Sequence, residues 1–86
     1  MGIREKLTHK LSLPKEIALD LPLLVALGRE ELNVENYKHL LAFSDTLVRV
    51  HTAAGVLCVE GANMQLKQMT SENLLITGNI TATHWE

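Results

Sequence analysis

The stretch that decides the fold is residues 48–60, Val-Arg-Val-His-Thr-Ala-Ala-Gly-Val-Leu-Cys-Val-Glu. In its first part, valines alternate with an arginine and a histidine, and this period of two predicts a strand with one apolar face. The segment 52–55, Thr-Ala-Ala-Gly, predicts a hairpin loop, and residues 56–60 predict the returning strand. The sequence therefore predicts antiparallel β-structure around residue 54.

Short segments of the same kind flank this hairpin. Residues 23–27 are apolar, residues 31–35 alternate, and residues 40–43 are apolar on both faces before the turn signal Ser44-Asp45. About seven short strands are predicted, with links too short for the dozen-residue crossover of parallel strands. We expect a mainly β protein, a small antiparallel meander curled into a barrel or a two-layer sandwich, with a short N-terminal helix.

Glycines lie between or inside several of the predicted strands. Two segments repeat a pattern of strand, glycine and second strand: Leu57-x-Val59-x-Gly61 before Met64-x-Leu66, and Leu74-x-Ile76-x-Gly78 before Ile80-x-Ala82. A glycine inside a strand pattern indicates a bulge or a bend. Structural bends are predicted at Gly28, Gly55, Gly61 and Gly78. The odd spacing from Val59 to Met64 also requires a bulge near Gly61.

The first residues differ in charge and pattern from the rest. Residues 1–16 carry four basic and two acidic side chains, and Ile3, Leu7 and Leu11 form one helical stripe. We therefore divide the chain into an N-terminal helical segment, 1–20, and a β-rich domain, 21–86. The favoured role of the stripe is packing on the protein's own sheet, and the alternative is contact with a partner or a membrane surface. The residues of that candidate contact are Ile3, Arg4, Lys6, Leu7, Lys10 and Leu11.

Composition limits the classes of function. The net charge is −2, from 8 basic and 10 acidic residues, and only three residues are aromatic: Tyr37, Phe43 and Trp85. This balance argues against nucleic-acid binding, which needs clustered cations or aromatic platforms. One cysteine cannot form an internal disulfide. With a single cysteine and no signal peptide, we expect a cytoplasmic protein in a reducing compartment. No apolar run approaches the ~20 residues of a membrane span.

Candidate chemical groups are few. Cys58 has no histidine or cation nearby in sequence to activate it, so we expect a small, half-buried structural residue. The histidines, at positions 9, 39, 51 and 84, lack the spacing of metal ligands. Ser44, Asp45 and His51 supply the residue types of a hydrolase triad, but adjacent Ser-Asp is typical of a turn. We predict no catalytic, cofactor-binding or metal-binding residues, no cofactor and no enzyme; a hydrolase or ligand binder using Cys58 or His51 is the third hypothesis.

A set of short motifs resembles the YabP/YqfC family of sporulation proteins, and its YqfC branch more closely. The motifs are Leu13-Pro14, Leu21-Pro22, Gly28, Val34-Glu35-Asn36, Phe43-Ser44, Val48 to Gly55, Leu57-x-Val59-x-Gly61-x-x-Met64-x-Leu66 and Leu75-x-Thr77-Gly78-x-Ile80. The resemblance covers residues 13–82 and rests on the order and spacing of the set. Met64 and Cys58 depart from the family pattern.

The resemblance implies a spore-forming, Gram-positive bacterial source and expression in the mother cell. It implies operon company with a polytopic or single-span membrane sporulation protein, which we expect to be the partner. We expect a location in the mother-cell cytoplasm, with peripheral association with the forespore membrane as an open alternative. It implies no reaction. The expected function is a non-enzymatic adaptor for that membrane protein at the forespore envelope. The alternative is a self-assembling, homo-oligomeric component of the spore envelope or coat.

Overall fold

A computed structural model describes residues 20–86, which contain one six-stranded antiparallel sheet. Its strands are β1 (Leu23–Leu27), β2 (Glu31–Glu35), β3 (His39–Phe43), β4 (Leu47–Thr52), β5 (Gly55–Met69) and β6 (Asn73–Trp85). The order across the sheet is β1-β2-β6-β5-β4-β3. The mainly β, antiparallel class is thus confirmed. The expected N-terminal helix lies outside the described residues, so the division of the chain near residue 20 stays a prediction.

The expected number of strands, about seven, was wrong, since residues 20–86 form six. The two strand-glycine-strand segments are not pairs of short strands: each is one long strand, β5 of 15 residues and β6 of 13. Nor is the sheet a simple meander, because β2 pairs with β6 rather than with β3. The length of the central hairpin explains this order. The first half of β6 pairs with β2, while the first half of β5 pairs with β4.

The middle of the long β5–β6 hairpin is bent and tightly packed. Its register shifts between Glu60 and Gly61, and again at two places further along β5. A Cβ atom on Gly61 would collide with the carbonyl oxygen of Asn79. Gly78 has a φ of +137°, and a Cβ there would lie 2.7 Å from the Cα of Met64. The two backbones therefore approach each other as only glycine allows.

The core is aliphatic and lies on one side of the sheet. The ten residues of the buried cluster are Leu32, Val34, Tyr37, Val48, Val50, Leu57, Val59, Met64, Leu74 and Ile76. Strands β2 and β4 both contribute to it although β6 and β5 separate them, so the sheet curls around its core. The sheet does not close into a barrel. Barrel closure was a wrong alternative, because among residues 20–86 the outermost strands, β1 and β3, each pair on one side only. The six strands also form one sheet, not the two sheets of the expected sandwich.

Hydrogen bonds from the connection between β2 and β3 stabilise the curled sheet. The backbone N–H of Asn36 donates to the carbonyl oxygen of Glu72 at 2.6 Å. The hydroxyl of buried Tyr37 donates to the backbone carbonyl oxygen of Thr70 at 2.5 Å. The Nδ2 of Asn36 also donates to the carbonyl oxygen of Asp20 at 2.8 Å, and Lys38 Nζ lies 2.9 Å from the Asp20 carboxylate. The start of the described chain is therefore held near the Leu23 end of β1.

Candidate functional site

The residues singled out from the sequence fall in different places. The six N-terminal contact candidates, residues 3 to 11, lie outside the described part of the chain. Gly28 and Gly55 lie at tight connections and have φ values of +57° and +122°. Gly61 and Gly78 lie at the middle of the long hairpin, where the backbones approach most closely.

A polar network lies on the face of the sheet away from the core. Arg49, Cys58 and His84 are direct neighbours on β4, β5 and β6. The Arg49 guanidinium donates twice to the Glu86 carboxylate, from Nε to Oε2 at 2.6 Å and from Nη2 to Oε1 at 2.8 Å. The Cys58 thiol donates to the same Oε2 at 2.8 Å. Beside them, His84 Nδ1 lies 3.4 Å from a carboxylate oxygen of Glu60.

This network sets the protonation of its members. The hydrogen bonds from Arg49 and then Cys58 lower the pKa of Glu86 to about 2. The hydrogen bond to Glu86 raises the pKa of the Cys58 thiol, and the smaller opposing effect of Arg49 does not offset it. Glu86 in turn raises the pKa of Arg49. The thiol form of Cys58 is favoured, and a thiol is a weaker nucleophile than a thiolate.

Sequence reasoning expected Cys58 to be half-buried and without a nearby cation. The structure buries it to 3% exposure and places Arg49 opposite it. The register of the predicted hairpin contained this information, since a loop closed by Thr52 and Gly55 also pairs Arg49 with Cys58. Nothing in the hairpin register predicted the contact with Glu86, because this residue directly follows the last residue of β6.

The other candidate groups have local structural partners. The Ser44 hydroxyl accepts a hydrogen bond from the backbone N–H of Leu47 at 3.0 Å, inside the β3–β4 turn. His51 lies at the opposite end of β4, where its ring stacks on that of His39 with a centroid separation of 5.9 Å. Across residues 20–86, no three His, Cys, Asp or Glu side chains are grouped to hold a metal ion.

The two edges of the sheet expose apolar side chains. On β1, Val25 is 42% and Leu27 is 68% exposed, and the whole strand, Leu-Leu-Val-Ala-Leu, has no charge. On β3, Leu41 is 48% and Phe43 is 46% exposed. The β3 edge is irregular, because its register with β4 shifts between Leu40 and Ala42. The β1 edge pairs with β2 without any shift.

An open groove of about 400 Å³ lies beside β1. Its apolar lining comes from Leu24 and Ala26 of β1, Leu32 of β2, and Ile80 and Ala82 of β6. Its polar lining is Arg29, Glu31, Thr81 and Thr83. The groove therefore separates the β1–β2 hairpin from the second half of β6, and sequence reasoning had no signal for it.

These features define, within residues 20–86, a small, curled antiparallel sheet with two open edges. The YabP family profile matches residues 23–86. Over 79 residues the chain is 32% identical to the "Uncharacterized protein YqfC" of Bacillus subtilis (strain 168), an alignment that covers 92% of this chain and 85% of that protein. The chain belongs to the YabP/YqfC family, as its sequence predicted. Membership of this family suggests an association with sporulation.

Within residues 20–86, none of the helical structure has the length and apolar character that a bilayer crossing would require.

Proposed function

We propose that this protein is a non-enzymatic sporulation adaptor that binds a membrane sporulation protein at the forespore envelope, from the mother-cell cytoplasm. The observation that carries the proposal is the open β1 edge. This edge presents five consecutive uncharged residues, with Val25 and Leu27 exposed to solvent.

An open strand of this kind favours association. Its outer N–H and C=O groups have no strand partner within residues 20–86, and a partner strand would satisfy them. Covering the exposed part of Leu27, which is 68% exposed, would contribute about 1–2 kcal/mol of the roughly 1.5–3 kcal/mol of a fully buried leucine. Backbone pairing and apolar contact together suit a stable but reversible partner contact.

The non-enzymatic part of the proposal is supported by the chemistry of Cys58. Its thiol is buried, hydrogen-bonded to Glu86, and has a raised pKa. His51 is stacked on His39 and lies away from the Ser44 turn. These side chains have structural partners that account for their positions. Membership of the YabP/YqfC family does not imply a catalysed reaction.

The test is an affinity pull-down with the full-length protein from detergent-solubilised membranes of sporulating cells, followed by mass spectrometry. We expect one membrane sporulation protein in stoichiometric yield. A bait that carries Val25→Lys on β1 should lose this protein. The matched control bait carries Phe43→Lys on the opposite edge, where Phe43 is about as exposed as Val25. It should capture the same protein. Recovery of the bait alone from every preparation would contradict the adaptor role.

Self-assembly is the second candidate function, and the second open edge favours it. Because β1 and β3 lie at opposite sides of the sheet, edge-to-edge contact between copies would propagate instead of closing. Exposed Leu41 and Phe43 on β3 would meet β1 of the next copy. Light scattering after size exclusion tests this at increasing concentration. A monomer mass throughout would count against self-assembly.

A further inference from the structure

Two histidines that are distant in the chain become direct neighbours in the sheet. His39 is the first residue of β3 and His51 lies in β4, and the two residues are register partners. Their rings are parallel to within 3°, with centroids 5.9 Å apart, and both residues are exposed. Spacing along a single strand or helix gives no sign of this pair, because the β3–β4 hairpin creates it.

We propose that His39 and His51 bind one divalent transition-metal ion of the zinc class, which both imidazoles chelate and which keeps water at its remaining positions. Imidazole nitrogen is a ligand that suits zinc, copper and nickel. The site has two protein ligands, so it does not require a group of three His, Cys, Asp or Glu side chains, which residues 20–86 lack. It is therefore an exchangeable site, unlike the four-ligand structural zinc sites. It is also independent of the partner contact proposed on β1.

The separation of the two rings fits chelation of a single ion. A zinc-bound imidazole nitrogen lies about 2.0–2.1 Å from the metal and roughly 1.1 Å from its ring centre, so the metal lies about 3.2 Å from the ring centroid. Two rings on one ion then have centroids about 5.2 Å apart at a tetrahedral angle, and at most about 6.4 Å apart. The observed 5.9 Å lies in this range. Since both residues are exposed and histidine χ2 has a broad distribution, rotation of each ring can direct a nitrogen towards the ion.

The cations beside the histidine pair each have an acidic partner. Lys38 directly precedes β3, and its Nζ lies 2.9 Å from the Asp20 carboxylate. Arg49 faces the same side of β4 as the pair, and its guanidinium donates to both carboxylate oxygens of Glu86. On β5 the neighbour of the pair is Val56, which is half-buried and carries no charge. Pairing of both cations reduces the repulsion that an arriving metal ion would meet.

The thiol and imidazole of the polar network form a poorer metal site. Cys58 and His84 are register partners on β5 and β6. The thiol donates to Glu86 at 2.8 Å, and His84 Nδ1 lies 3.4 Å from a carboxylate oxygen of Glu60. The Arg49 guanidinium also binds the Glu86 carboxylate, so a metal ion using this carboxylate would have to displace a fixed positive charge. The histidine pair on β3 and β4 requires no such displacement.

A metal ion shared by the two strands would stabilise an edge of the sheet. Within residues 20–86, β3 pairs with β4 alone, and this pairing is irregular between Leu40 and Ala42. The ion would join the strands at His39, where β3 begins, so local opening of β3 would require a metal–nitrogen bond to break. Because the two imidazoles are brought together only by folding, the bound ion should also raise the melting temperature.

Titration calorimetry of the full-length protein, free of any histidine tag, with zinc chloride tests the site. We expect saturable binding of one ion per chain and no binding of magnesium chloride, since Mg²⁺ prefers oxygen ligands. His39→Gln and His51→Gln should each weaken zinc binding at least about tenfold, because the second imidazole of a chelating pair binds at a high effective concentration. The matched control is His84→Gln, which removes another exposed histidine and should change the affinity less than about twofold. Melting curves without metal verify that each variant is folded.

Amide hydrogen exchange tests whether the ion joins the two strands. Exchange along β3 should slow when zinc binds to the unaltered protein, and zinc should have no such effect on His39→Gln. The site is overturned if the unaltered protein shows no saturable zinc binding, or if His39→Gln and His51→Gln bind zinc as well as His84→Gln does. Zinc binding that leaves the exchange of β3 unchanged would also overturn it, because the ion would then not be shared by β3 and β4.

Discussion

Replacing Gly78 by alanine tests the close approach at the centre of the long hairpin. A Cβ at this position would lie 2.7 Å from the Cα of Met64 and 2.8 Å from the carbonyl oxygen of Asn63. Both atoms belong to the backbone, so no side-chain rotation relieves the overlap. The φ of +137° adds a conformation that alanine rarely adopts.

The expected loss of stability is about 3 kcal/mol. The unfavourable φ costs about 1–3 kcal/mol, the backbone overlap adds about 1–3 kcal/mol, and the lower entropy of the unfolded alanine chain returns about 0.4–1 kcal/mol. A domain of 86 residues has a total stability of roughly 4–13 kcal/mol, so the variant loses a large part of it.

Gly28 provides the matched control. Its φ is +57°, and a Cβ there would meet nothing within 4 Å. Gly28→Ala therefore carries the conformational cost without the overlap, a net loss of about 1 kcal/mol. Gly61→Ala gives the reverse case, since its Cβ meets the carbonyl of Asn79 without a left-handed φ.

Urea unfolding followed by circular dichroism measures these differences. With a slope near ~1 kcal/mol/M for a small protein, the midpoint for Gly78→Ala should lie about 2 M below that for Gly28→Ala. Gly61→Ala should lie between the two. Equal midpoints for Gly78→Ala and Gly28→Ala would show that the two backbones separate at no cost. That result would refute a close approach that only glycine allows.

Three further predictions concern the core and the polar network. Met64→Ala should cost about 2–5 kcal/mol in urea unfolding because Met64 is 2% exposed, whereas Met69→Ala, at 55% exposure, should stay within about 0.5 kcal/mol; similar losses would contradict the assigned core. Glu86→Gln should destabilise the protein at pH 7. Because the folded pKa of Glu86 is about 2 and its ordinary value is 4.5, the stabilisation is fully present above pH ~5, and the difference from the unaltered protein should shrink as the pH falls from 4.5 towards 2; a constant difference would argue against the ion pair. Thiol labelling of Cys58 at neutral pH should be slow in the unaltered protein and faster in Glu86→Gln, which removes the carboxylate that raises the thiol pKa; an unchanged rate would leave burial alone as the cause.

Local patterns in the sequence predicted the parts of the fold that depend on neighbouring residues. The alternation along 48–51 and the Thr52–Gly55 loop correspond to β4 and its hairpin with β5. The valines of β4 are buried, and its arginine faces the other side. A period of two is a property of one strand and its two environments, so it can be read without knowing the partner.

The pattern was insufficient where a partner strand decides the outcome. Gly61 and Gly78 were expected to separate pairs of short strands, but β5 and β6 continue through both positions. A glycine ends a strand or bends it according to what packs beside it. The β2–β6 pairing likewise joins segments about forty positions apart, and no local signal specifies such a contact.

The candidate site divides in the same way. The pairing of Arg49 with Cys58 follows from the hairpin register and was available from the sequence, although the argument from nearby residues missed it. The Arg49–Glu86 ion pair required the position of the end of β6, which depends on three register shifts in β5–β6. The groove depends on the curl of the whole sheet.

The two edge strands, β1 and β3, differ in how well they are shielded from pairing with another strand. An open, uncharged strand is an aggregation hazard, and proteins commonly shield such edges with bulges or lysine. Here β3 has a register shift in its middle, whereas β1 pairs with β2 without a shift. A shielding residue precedes each strand, Lys38 before β3 and Pro22 before β1. The irregular register makes β3 a poorer edge than β1 for pairing with another strand, so self-assembly through β3 ranks second. The risk of unwanted strand pairing therefore remains on β1, the strand beside the groove, whereas a closed barrel would have no such edge. Among the strands of residues 20–86, β1 is therefore the edge on which the proposed partner contact rests.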